Sequence, residues 1–224
     1  MRPLVPVLLT GAWLLPAATA FPMPAAEQEL LEVMQARPDL EHGAQEFATC
    51  AACHGPNGGG KTNGEFPRIA GQYFSVLARQ LVEFRRGLRW DFRMENFADR
   101  HRLADAQAIA DVAFYVSQLQ ESSPAGTGSG EFLGHGAMLY FRQCESCHGS
   151  SGQGDPRHSI PRLAAQHYEY LRRQIHDAVE GRHPGFPAFH VKLFAHLEYN
   201  DIDGVADYLA RIVPPPTVIP AAQR

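Results

Sequence analysis

Cys50-Ala51-Ala52-Cys53-His54 sets two thiols two residues apart with an imidazole directly after them, and Cys144-Glu145-Ser146-Cys147-His148 repeats the arrangement. Two cysteines at this spacing followed by histidine form the attachment pattern for c-type haem. The thiols of Cys50 and Cys53, and of Cys144 and Cys147, add across the two vinyl groups of the macrocycle, whose separation one short helical turn matches. His54 and His148 then stand under the iron as one axial ligand each. All four cysteines of the chain are used. Other chemistries use similar residues. A structural zinc site takes two CxxC pairs but has no need of histidine at the next position both times. A thioredoxin-like dithiol follows a strand in an alternating strand and helix pattern, which is absent here. Four cysteines in an exported chain can also pair as disulfides. Two copies of the whole motif within matching sequence favour two haem c groups.

The start of the chain bears on the same question. Arg2, the mostly apolar stretch Leu4 to Leu15, and the small-residue site Ala18-Thr19-Ala20 read as a signal peptide over residues 1–20, cleaved to leave Phe21 first. Pro3, Pro6 and Pro16 make the region irregular, so an uncleaved anchor is the alternative. No later stretch approaches the roughly 18 apolar residues needed to span a bilayer. A mature chain with no transmembrane segment, exported to the periplasm, is the expectation. Haem attachment takes place on that side of a membrane, so leader and motifs support one another. The formal net charge of −4 lacks the basic excess of a nucleic-acid binder.

An internal repeat organises the elements that must position these residues. His42-Gly43-Ala44 recurs as His135-Gly136-Ala137, and Phe47 as Tyr140. Each motif is followed by a glycine-rich loop. Pro67-Arg68-Ile69-Ala70-Gly71-Gln72 is matched by Pro161-Arg162-Leu163-Ala164-Ala165-Gln166, and Gly87 by Gly181. The periodicity is helical: Tyr73, Leu77, Leu81 and Phe84 share one face, as do Leu171, Ile175 and Val179. Ile109, Val112 and Val116, and Ile202, Val205 and Leu209, form the stripes of two closing helices. No alternating strand pattern appears. The expected division is a helical N-terminal extension over 21–41, a first domain over 42–120, a Gly/Ser/Pro linker over 121–134, a second domain over 135–213 and a Pro-rich tail over 214–224. Domains this small are marginal on their own cores, so each macrocycle would supply much of the interior and the haem-free chain should fold poorly. The arginines Arg79, Arg85, Arg86, Arg89, Arg172 and Arg173 read mostly as a solvated helix face, and Met138 as a core residue.

Cys50 to Gly55, Phe66 to Gln72, and Ala113 with Tyr115 in one half, and Cys144 to Gly149, Ile160 to Gln166, and Ala206 to Tyr208 in the other, resemble the class I cytochrome c pattern. The tandem is similar to the dihaem cytochrome c4 group. The resemblance implies an all-α protein of two tandem class I cytochrome c domains, each wrapped around a covalently attached haem. It further implies a close helix crossing at Gly43 and Gly136, with Tyr115 and Tyr208 packed over Phe47 and Tyr140. The carbonyls of Pro67 and Pro161 would accept from Nδ1–H of His54 and His148, fixing the tautomer and strengthening the imidazole as a donor.

That family places a methionine on the far side of the haem, before the last helix. Of the methionines after the leader, only Met94 falls in such a loop, and it is assigned to haem 1, with His101 as competitor. The second half has no methionine after Met138. Its loop offers His183, His190, Lys192 and His196. His190 lies 18 residues before Tyr208, against 21 from Met94 to Tyr115, and is assigned to haem 2. His196 and an open iron remain alternatives.

An electron carrier follows as the leading reading. Its partners would be redox proteins such as a quinol-oxidising complex and a terminal oxidase or reductase. The alternative is a dihaem oxidoreductase, peroxidase-like or thiosulfate-oxidising, working through a labile sixth ligand at haem 2. A third is a fixed subunit of a larger complex, docked through the N-terminal helix and the tail.

Overall fold

Asp39 starts the helix that carries the first motif. Its carboxylate accepts from the backbone N–H groups of Glu41 and His42, satisfying donors that a helix start otherwise leaves bare. The helix, α2 (Leu40–His54), then runs unbroken through both cysteines. It stops because Gly55 adopts φ +76°, a conformation that glycine reaches without steric cost. The computed structural model describes residues 23–120 and 123–213. The leader (1–20), Phe21 and the tail (214–224) lie outside the described residues.

The first half comprises α1 (Ala25–Gln35), α2, α3 (Phe74–Arg85), α4 (Phe92–Ala98) and α5 (Ala106–Gln118). The second comprises α6 (Leu133–Gln143), α7 (Glu145–His148), α8 (Tyr168–Val179), α9 (Ala188–Phe194) and α10 (Tyr199–Arg211), with a short 3-10 turn at Pro156–His158. Among the described residues the only extended pairing is one isolated bridge between Asp155 and Ile160. In the second copy the helix is interrupted at Cys144, and α7 carries the motif to Gly149 at φ +79°.

Each half is closed by a helix pair, α2 with α5 and α6 with α10. A Cβ on Gly43 would fall on the Asp111 carbonyl and 2.9 Å from Tyr115 Cβ; one on Gly136 would lie 2.5 Å from the Val205 nitrogen. Only glycine allows backbones that close. Phe47 and Tyr115 rings meet beside one crossing at 5.4 Å, Tyr140 and Tyr208 beside the other at 5.5 Å. Around these pairs Leu77, Val82, Ile109 and Val112 form one apolar core and Leu171, Ile175, Ile202 and Val205 a second.

The helix α1 has no counterpart in the second half. It packs on α3 and α5, burying Val33. It also buries Glu29, which is 2% exposed and receives hydrogen bonds from Arg85 Nη1 and Arg86 Nε at 2.6 Å and from Arg100 at 3.0 Å. Arg85 further donates to the Ala98 and Leu103 carbonyls at 2.7 and 2.5 Å. The expectation of a solvated arginine face therefore fails for Arg85, and for Arg89, which is also buried. Carboxylates and carbonyls distant in sequence give these cations partners that no local pattern displays. Met138 departs the other way. It lies exposed on α6, because the buried positions of that helix are taken by Gly136 and Tyr140.

The halves meet through a reciprocal pair. Gln72 Oε1 accepts from Arg162 N and its Nε2 donates to Arg162 O, both at 3.0 Å. Gln166 does the same to Arg68, at 3.0 and 2.7 Å. Tyr73 Oη donates to Gln153 O, and at the equivalent place His167 Nε2–H donates to Gly59 O. The connecting segment is tied down: Gly126 N donates to His167 Nδ1, and Gly128 N and Gly130 N to the two oxygens of Asp207.

Candidate haem sites

Two buried histidines face the interior from the ends of α2 and α7. His54 Nδ1–H donates to Pro67 O at 3.0 Å, and His148 Nδ1–H to Pro161 O at 3.2 Å. A carbonyl can only accept, so each ring carries its proton on Nδ1 and leaves the Nε2 lone pair for a metal. Burial holds both below the usual imidazole range, against the opposing pull of the carbonyl. They are neutral ligands in waiting.

The cysteines suit attachment better than redox exchange. No two of the four are joined as a disulfide. Burial pushes Cys50 and Cys144 up to about 11, whereas a dithiol that exchanges electrons needs a depressed value. Among the described residues no group of three or more His, Cys, Asp or Glu side chains could hold a metal ion, so the two CxxC pairs do not converge as a structural zinc site requires.

Opposite the proximal residues the halves differ. Asp91 caps α4, accepting from the Arg93 and Met94 nitrogens, and Met94 is its third residue. Met94 lines a cavity together with Cys50, Cys53 and His54. In the second half the third residue of α9 is His190. Its ring centroid lies 6.0 Å from that of His148. Two metal–imidazole bonds of about 2 Å each, one on either side of a single ion, set ring centres roughly 6 Å apart. The rings of Phe186, Phe189 and Phe194 surround His190 at 5.3, 4.2 and 5.4 Å. Burial, with the neighbouring His148, pushes it down to about 4. Its Nδ1 is buried without a hydrogen-bond partner among the described residues.

The competing residues stand elsewhere. His101 is exposed and bonded to Asp99 and Asn96. His183 is buried, but it reaches across the junction to Glu83 at 3.3 Å. His196 and Lys192 are exposed. The cavity beside Met94 continues past the junction to Pro161, Leu163 and Phe186. Sequence reasoning did not foresee that residues of the second half help to line the cavity of the first. The matching glutamines of the repeat were visible, but nothing local shows that each binds the backbone of an arginine in the other half.

In the first half two thiols, a neutral imidazole and a thioether line one apolar-walled cavity, and in the second two neutral imidazoles face one another; both sets of residues suit an iron macrocycle. The family model described as Cytochrome c matches residues 40–120 and 134–212. The chain belongs to the cytochrome c family. It is 30% identical over 179 residues to cytochrome c4 of Pseudomonas aeruginosa, covering 76% of this chain and 87% of that protein. It is 31% identical over 176 residues to a protein of Stutzerimonas stutzeri strain A1501 named thiosulfate dehydrogenase electron acceptor, covering 73% and 78%. The crystal structure of reduced recombinant cytochrome c4 from Pseudomonas stutzeri superposes with a TM-score of 0.70 at 26% identity, covering 79% of this chain and all of that one. This cytochrome is thus a helical tandem that holds two covalently bound haem c groups and carries electrons between redox partners.

Proposed function

We propose that the two haems are ligated differently and that this difference directs the electron. Residues 42–120 and 135–213 are read as the two haem-binding units. Cys50 and Cys53 attach haem 1, with His54 and Met94 as axial ligands; Cys144 and Cys147 attach haem 2, with His148 and His190. The observation that carries this reading is the placement of Met94 and His190 at the same position of equivalent short helices, with His190 facing His148 at the separation of two imidazoles on one ion.

Bound haem supplies one-electron exchange between ferric and ferrous iron. The chain does the rest. The Pro67 and Pro161 carbonyls hold each proximal ring in one tautomer. Met94 donates a thioether, which favours ferrous iron, whereas His190 donates an imidazole, which favours ferric iron. The first site therefore has the higher potential, and the internal direction runs from the second half to the first. The Met94→Ala variant is expected to lose the methionine–iron charge-transfer band. The His190→Ala variant is expected to show high-spin iron. Retention of the band in the first, or a low-spin spectrum in the second, would remove the assignment concerned.

The leader over residues 1–20 supports export to the periplasm, and among the described residues no helix is long and apolar enough to cross a membrane. The partners that suit such a carrier are a quinol-oxidising complex and a terminal oxidase or reductase. The Stutzerimonas relative's name adds a thiosulfate-oxidising dehydrogenase as a further candidate donor.

A second reading, a dihaem oxidoreductase with a labile ligand at haem 2, draws on one observation. His148 is held by Pro161, but the Nδ1 of His190 has no corresponding partner among the described residues. Rapid cyanide binding at haem 2, with turnover of peroxide or thiosulfate, would favour it over the carrier.

A further inference from the structure

We infer that Arg89 is the counter-ion of a propionate of haem 1 at the junction of the two halves and thereby raises the potential of that haem; the inference rests on the ligation proposed above. Arg89 lies in the segment between α3 and α4 and is 6% exposed. Its guanidinium stacks on Phe84 at 4.7 Å. Nη2 donates to Tyr170 Oη at 2.6 Å and to Gln174 Oε1. Both acceptors are neutral. Among the described residues no carboxylate lies within ion-pair distance of Arg89, although the similarly buried Arg85, four residues earlier, has Glu29 at 2.6 Å. A buried cation is costly unless an opposite charge completes its surroundings.

The cavity that Arg89 lines, with Cys50, His54 and Met94, supplies the direction. Six arginines line it against three carboxylates, in a chain whose net charge is −4. Cationic excess is gathered where the protein's own anions are few. Each haem brings two carboxylates, and the planar guanidinium fork suits a carboxylate. Ferric iron carries one more positive charge than ferrous iron, so a fixed cation close by favours reduction. Arg89 takes its neutral partners from α8 of the second half, so its position depends on the docking of the two halves. It is a positioning and charge-setting residue.

Spectroelectrochemical titration of the intact dihaem protein tests this. Arg89→Gln is expected to lower the reduced-to-oxidised ratio of the methionine-ligated haem about tenfold at a fixed ambient potential, which is about 59 mV for a one-electron couple, with a smaller change at the other haem. Arg89→Lys keeps the charge but not the stacked fork, and should lower the potential by less than Arg89→Gln. Gln174→Glu leaves Arg89 in place but gives it a protein carboxylate; it should lower the same potential, and it carries the test if the Arg89 variants do not accumulate. Potentials unmoved by Arg89→Gln with both haems attached, or equal shifts at both haems, would overturn this inference alone. Wild-type protein with fewer than two haems, or with no methionine-ligated haem, would overturn the ligation reading and this inference with it.

Discussion

One side chain separates the two sites. The proximal residues are near copies, each imidazole anchored to a proline carbonyl at 3.0 and 3.2 Å. Removing that anchor cannot be done by truncating a side chain, since the acceptor is backbone, but Pro67→Ala frees the loop that aims it. The expected outcome is a small rise in the potential of haem 1, since a less basic imidazole stabilises ferric iron less, and little change at haem 2, read by titration; an unaltered haem 1 would show that the loop is held by its other bonds. The proposed distal ligands carry the contrast, and the two candidates were legible unequally. Met94 was singled out because methionine is scarce. His190 could be placed only by counting back from Tyr208, and its choice over His196 depended on a loop whose length differs between the halves. The structure separates them by burial: His190 sits among three phenylalanine rings, whereas His196 faces solvent.

Helices translate these residues into fixed positions, and α1 takes part in a way the sequence did not disclose. Glu29 ties α1 to Arg85, and Arg85 holds the Ala98 and Leu103 carbonyls that end and follow α4. The extension therefore braces the helix that bears Met94. Burial acts to raise the Glu29 value, but the hydrogen bonds and charges of Arg85 and Arg86 outweigh it and hold it below the usual carboxylate range. A lowered native value means that the stabilisation is present above about pH 4.5 and is lost as pH falls through the lower folded value. Glu29→Gln is expected to cost about 3 kcal/mol and to flatten the acid limb of stability below about pH 4.5, as denaturant unfolding at several pH values would show. An unchanged acid limb would count against the brace. At the crossings, Gly43→Ala and Gly136→Ala force a methyl onto a backbone carbonyl or nitrogen. Each is expected to cost about 2 kcal/mol and to reduce the yield of dihaem protein, measured as haem per chain. The repeat made both crossings readable because glycine stood at matching places. The Glu29–Arg85 contact was not readable, since its partners are 56 residues apart and neither belongs to the repeat.

The whole molecule is two copies of one design locked face to face. The Gln72 and Gln166 clamps, with Tyr73 and His167 at equivalent places, make the junction nearly symmetric even though Met94 and His190 differ. The repeat announced two units, but docking depends on side chains of one unit meeting the backbone of the other, which no periodicity encodes. The same applies to the connecting segment. Its composition marks a linker, yet Asp207 and His167 bind its glycine N–H groups and hold it against the second half. Replacing Gln72 and Gln166 together by alanine should speed proteolysis within residues 123–132 severalfold without loss of either haem; equal rates would mean that the segment is held independently of the clamp. On the proposed ligation, asymmetric ligands in a symmetric frame would give the electron a direction. The most direct test is a potentiometric titration of the intact protein, followed at the methionine–iron band and in the Soret region. Two one-electron waves are predicted, with the band-bearing haem reduced at the higher potential. A single wave of indistinguishable centres, or a band that belongs to the lower-potential haem, would contradict the account.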